Sequence, residues 1–63
     1  MTGPTLRTRR TKARISLRAL AAYLGMSPSY LSDLELGRRT SRLAIERAAA
    51  GLRAMVLERK GGR

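Results

Sequence analysis

Arg7, Arg9, Arg10, Lys12, Arg14 and Arg18 stand in the first half of this chain with no acid among them; Asp33, Glu35, Glu46 and Glu58 all come later. Over 63 residues, 14 Lys and Arg face 4 Asp and Glu, a formal net charge of +10. A field of that size in so short a chain selects polyanions, nucleic acid first and an anionic membrane surface second. Most other side-chain chemistry is missing. There is no Cys, His or Trp, which excludes a disulfide scaffold, a Cys/His zinc site, a thiol nucleophile and a histidine base. Asp and Glu alone give no acid–base pair in any cleft that can be constructed, so no enzyme, no metal and no cofactor are expected.

A second constellation is steric. Ala21, Gly25 and Leu31 follow one another at four and six residues, with Leu20, Leu24, Met26 and Leu34 around them. A methyl at Ala21 lets two helix axes approach, and Gly25 takes a backbone angle that costs other residues energy. Leu31 then points back into the wedge. This spacing meets the demand of a helix-turn-helix, whose second helix projects an outer face towards a major groove.

The elements that must position these residues are read as four helices. Met1–Pro4 reads as a loose lead-in, because Gly3 and Pro4 discourage regular structure. Thr5–Arg14 has few apolar positions (Leu6, Ala13, then Ile15), so a helix there must be held by packing. Ser16 is a good N-cap for the helix formers Leu17–Leu24, which Gly25 ends. Ser27 followed by Pro28 is a strong start signal for a helix to about Glu35, stopping at Gly37. Arg38–Ser41 reads as a basic loop. From Arg42, the positions Ile45, Ala48, Ala49, Leu52, Met55 and Val56 recur at helical intervals. Gly51 is either a join between two helices or a close-contact point inside one; one long helix to about Arg59 is the preferred reading, with 60–63 a frayed basic tail.

No apolar stretch approaches the ~20 residues a membrane span requires, and no hydrophobic signal core follows the basic N-terminus. The expectation is a cytoplasmic, all-α chain forming one domain over residues 1–63, with the helix-turn-helix at about 17–36 and flexible ends at 1–4 and 60–63.

The run from Ser16 to Arg39, SLRALAAYLGMSPSYLSDLELGRR, resembles the lambda-repressor-like, Cro-type (XRE) helix-turn-helix family of phage and bacterial regulators. The resemblance covers residues 6 to about 52. It implies a compact bundle of four or five helices that binds operator DNA, usually as a dimer. By position it implies base contacts from Pro28, Ser29, Ser32 and Asp33. Phosphate contacts would come from Ser16, Leu17, Ser27, Arg38, Arg39 and Thr40, with Arg18 in the same group. It also implies a partly buried bridge between Arg10 and Glu35, against which stands the alternative of two exposed charges. Two positions depart from the family's habit: Leu36 stands where a polar or basic residue is common, and no proline lies near Ser41.

The residues support these roles unevenly. Ser27 opens a helix, so its N–H groups and hydroxyl form a ready phosphate site. Arg38 and Arg39 would grip the backbone nearby, giving affinity and orientation without sequence choice. Ser29 and Ser32 hydrogen-bond promiscuously, and Asp33 can accept from a cytosine amino group. Equally open are Ser29 as a plain first-turn residue and Asp33 paired to a neighbouring arginine. Tyr23 reads as a packing residue. Tyr30 would half-bury its ring and offer its hydroxyl to a phosphate.

The end of the last helix, Met55, Val56 and Leu57, extends beyond what one small domain requires. With Leu36 it would bury itself against a second copy, setting recognition helices ~34 Å apart. The function expected is a double-stranded DNA-binding regulator, a repressor on a palindromic operator, with no small-molecule ligand. The alternative is an antitoxin-type interaction module that also binds its own promoter.

Overall fold

A computed structural model of the chain describes residues 1–61. These form α1 (Gly3–Lys12), α2 (Leu17–Leu24), α3 (Pro28–Leu36) and α4 (Arg42–Gly61), an all-α bundle with no strand among the described residues.

Each helix start uses a hydroxyl. Thr2, Ser16, Ser27 and Ser41 accept the N–H groups of Thr5, Ala19, Tyr30 and Ala44 at 3.3, 3.0, 3.1 and 3.2 Å. Ser41 thus starts α4 with its own hydroxyl, without the nearby proline that the resemblance implied. Thr2 corrects the expected loose lead-in: Gly3 and Pro4 are the first residues of α1. Proline fits a helix's first turn, where its missing N–H is no loss. Gly3 is buried against the Leu34 carbonyl, in a space a Cβ would fill.

Helix α1 has almost no amphipathic pattern, and it is held by Leu6, fully buried, and Arg10. It closes through Arg14, at a left-handed φ of 59°, and the Ile15 N–H returns to the Arg10 carbonyl at 3.2 Å. A non-glycine residue there costs on the order of 1 kcal/mol, and nothing in the sequence announces it.

The Arg10 guanidinium spans the junction. Its Nε donates to Glu35 Oε2 at 2.7 Å, Nη2 to Glu35 Oε1 at 3.1 Å, and Nη1 to the Ile15 carbonyl at 2.8 Å. Both side chains are buried, 10% and 3% exposed, which removes the alternative of two solvated charges.

Helix α4 runs unbroken through Gly51, which is a close-contact point and not a join. A Cβ there would lie 2.5 Å from Leu24 Cδ2, where α4 crosses the end of α2. The helix also takes in Lys60 and Gly61, beyond the expected end at Arg59; Gly62 and Arg63 of the expected tail lie outside the described residues. The core joins Leu6 and Ile15, Leu20 and Ala21, Leu31 and Leu34, and the α4 face from Ala44 to Leu52. Each fully buried leucine contributes about 1.5–3 kcal/mol.

Candidate nucleic-acid interface

The elbow between α2 and α3 has the geometry its spacing requires. Gly25 takes φ +70°, and the Met26 N–H bonds back to the Ala21 carbonyl at 2.9 Å. Ala21 is fully buried at the crossing, as are Leu20, Leu31 and Leu34. With Leu31, Leu34 and Glu35 of α3 inward, the opposite side of that helix faces outward.

On that side one shallow groove is lined by Leu17, Arg18, Pro28, Ser29, Ser32, Asp33 and Arg38. The starts of α2 and α3 therefore border the same surface. Their first-turn N–H groups lack partners within the helix and carry the positive end of the helix dipole. The hydroxyls of Ser16 and Ser27 already accept from their own helices, so towards a phosphate they are left to donate.

Asp33 adopts the second of its two open readings. Its carboxylate lies 3.9 Å from Arg38 Nη1 and 3.7 Å from Arg39 Nε. Its carbonyl accepts the N–H groups of both arginines, at 2.9 and 3.2 Å. The Arg39 guanidinium also sits 5.1 Å from the centre of the Tyr30 ring, within cation–π range. Tyr30 is half-buried as expected, and its ring face supports Arg39. Thr40 is exposed on the loop beyond.

The four acids all have partners: Asp33 the two loop arginines, Glu35 Arg10, Glu46 Arg42 at 3.4 Å, and Glu58 the Tyr23 hydroxyl at 2.9 Å. Arg7, Arg9, Arg14, Arg18, Arg47 and Arg53 face no acid among the described residues. The positive field is therefore unneutralised over much of the surface.

Three residue assignments change. Tyr23 is 45% exposed and works as a hydrogen-bond donor to Glu58 rather than as packing. That hydrogen bond and the Glu58 charge raise its pKa above the ordinary tyrosine value. Met55 and Val56 are half-buried against the core, so only Leu57, 66% exposed, stands free on the end of α4. Leu36, the last residue of α3, is exposed too, on a different helix from Leu57. Met55 and Val56 therefore do not extend an exposed patch around Leu57. Leu57 instead borders an apolar cleft of about 250 Å³ between α1 and α4, lined by Ala13, Leu52 and Val56 and flanked by Arg9 and Arg53.

The sequence also gave no sign of Arg59, whose Nη2 donates to the Ala13 carbonyl at 2.7 Å and caps the end of α1. Only a known α1–α4 contact reveals that role.

An outward α3, locked to α2 by a left-handed glycine and bordered by cations, defines a helix-turn-helix DNA-binding domain. The helix-turn-helix domain family matches residues 3–60. The chain belongs to that family, and its domain is of the Cro/XRE kind. No curated protein and no solved structure matches it. Among the described residues, no helix is long and apolar enough to cross a membrane.

Proposed function

We propose that this chain is a sequence-specific, double-stranded DNA-binding transcriptional regulator. It acts as a repressor on a palindromic operator, in the cytoplasm of a bacterial cell, and it is not an enzyme. The observation that carries this reading is the groove in which Arg18, Ser29, Ser32 and Arg38 converge on the outward side of α3.

Around it, the α2 and α3 starts with Arg18, Arg38, Arg39 and Thr40 hold phosphates, and Ser29 and Ser32 reach base edges. Tyr30 positions Arg39. Dimerisation centres on Leu57 and the neighbouring apolar cleft, which hold two copies so that their α3 helices meet successive turns of the duplex, ~34 Å apart.

Selection of bound duplexes from a random pool tests this. The expected result is an inverted repeat with half-sites one helical turn apart. Recovery of unrelated sequences, or of a single unpaired half-site, contradicts the sequence-specific or the dimeric part respectively.

A further inference from the structure

We infer that the cleft between α1 and α4 is a docking site for an acidic amphipathic helix of a partner protein, which bars a second copy from the same place. Its effect on DNA occupancy rests on the dimeric reading above.

Two helices already wall the cleft. On α4, Ala49, Leu52, Val56 and Leu57 recur at helical intervals along one face, about 12 Å from first to last at ~1.5 Å per residue. Helix α1 supplies Ala13, and Arg59 on α4 donates across to the carbonyl of that residue at 2.7 Å. The short side chains of Ala13 and Ala49 keep the floor low and leave about 250 Å³ open. Such a floor lets a third helix lay an apolar stripe between the two. Leu57, 66% exposed, and Met1, 47% exposed, also line the cleft. These are apolar groups that the chain leaves in water.

The rim decides which helix fits. Arg9 and Arg53 flank the cleft, and neither faces an acid among the described residues. The four acids are engaged elsewhere. A second copy meets this rim badly. In a two-fold contact each residue appears twice, so four guanidiniums would surround one apolar seam with no carboxylate between them. Like charges so placed cost affinity. The pair of copies then depends on a duplex lying across both to offset the +10 on each chain.

A helix with Leu, Met or Phe along one face, and Glu or Asp beside that face, fills the same floor and pairs with both arginines. Off the duplex it outcompetes the second copy. The cleft shares no residue with the groove on α3, so single half-sites stay open while paired occupancy falls.

The test uses displayed helical peptides with one face drawn from Ala, Leu, Met and Phe and with Glu on its flanks; a matched set carries Lys there instead. Both sets are selected against wild type. Enriched peptides are then measured on Leu57→Asp, which changes an exposed side chain and keeps the core, and on Arg9→Gln with Arg53→Gln. The control is Arg7→Gln with Arg47→Gln, which removes the same charge outside the cleft. Acidic peptides should enrich, and both cleft variants should weaken them about tenfold, while the control pair changes little. An enriched peptide should also lower occupancy of a two-half-site duplex and spare a single half-site. Failure of the acidic set to enrich, equal enrichment of the Lys set, or equal losses from the two arginine pairs would overturn the inference and leave DNA binding by the wild type standing. A dimer off DNA that Leu57→Asp splits and no peptide disturbs would assign the cleft to the second copy instead. A wild type indifferent to DNA at low salt would remove the DNA-binding reading and leave the peptide result as it stood.

Discussion

Glu35 on the last turn of α3 receives a two-pronged grip from Arg10 on α1, with oxygen–nitrogen distances of 2.7 and 3.1 Å. The same guanidinium holds the Ile15 carbonyl, so one side chain fixes α3 to the turn that leads into α2. Breaking a buried pair from one side strands the other charge, at a cost of about 3–5 kcal/mol. Glu35→Ala and Arg10→Ala should each lower stability by that amount in urea denaturation. Replacing both with methionine should recover much of the loss. Single variants with unchanged midpoints would show the pair to be idle.

Two glycines should respond oppositely to alanine. At Gly3 the new Cβ meets the backbone carbonyl of Leu34, which cannot move without α3. Gly3→Ala should therefore displace the start of α1 and destabilise by about 1–3 kcal/mol, the usual cost of overpacking. At Gly51 the obstruction is the tip of the Leu24 side chain, which can turn aside, and alanine adds up to ~1 kcal/mol of helix propensity. Gly51→Ala should be near neutral, and Gly51→Val clearly destabilising. Thermal melts of the three variants decide it; equal losses for both alanines would contradict the difference in what each glycine faces.

The Tyr23 hydroxyl donates to Glu58, which raises its pKa. The folded-state value lies above the unfolded one, so this contribution to stability is whole below the unfolded tyrosine pKa, near 10, and is lost as pH rises through the higher folded value. In ultraviolet titration the Tyr23 step should come above pH 10 and move down in Glu58→Gln. A Tyr23 step unchanged by that substitution would mean the bond does not form.

Salt sorts the contacts on the DNA face. Replacing Arg38 or Arg39 with alanine should weaken binding on all sequences and flatten the log–log salt slope by about 0.9 per phosphate lost. Replacing Ser29 should change preference among sequences and leave the slope alone. Identical behaviour from both kinds of variant would merge the two groups.

Much of this surface was legible because it is written locally. Ser16, Ser27–Pro28, Gly25 and Gly37 act within four residues of themselves, and the structure uses each as a cap or turn. The Ala21–Leu31 relation spans only ten residues. Apart from the left-handed turn at Arg14, what was not legible depends on chain segments meeting from far apart. Gly3 looks like a helix breaker until Leu34 is placed against it. Tyr23 looks apolar until Glu58, 35 residues on, comes within 2.9 Å. Met55 and Val56 look like free interface until the folded core half-buries them.

The most direct measurement is a backbone amide spectrum of the protein titrated with a selected duplex. The largest shifts are expected at Leu17, Arg18, Ser29–Ser32 and Arg38–Thr40, with smaller, dimerisation-linked shifts at Ala13 and Ala49 of the α1–α4 cleft. Shifts concentrated on that cleft, with Ser29 and Ser32 unmoved, would contradict it.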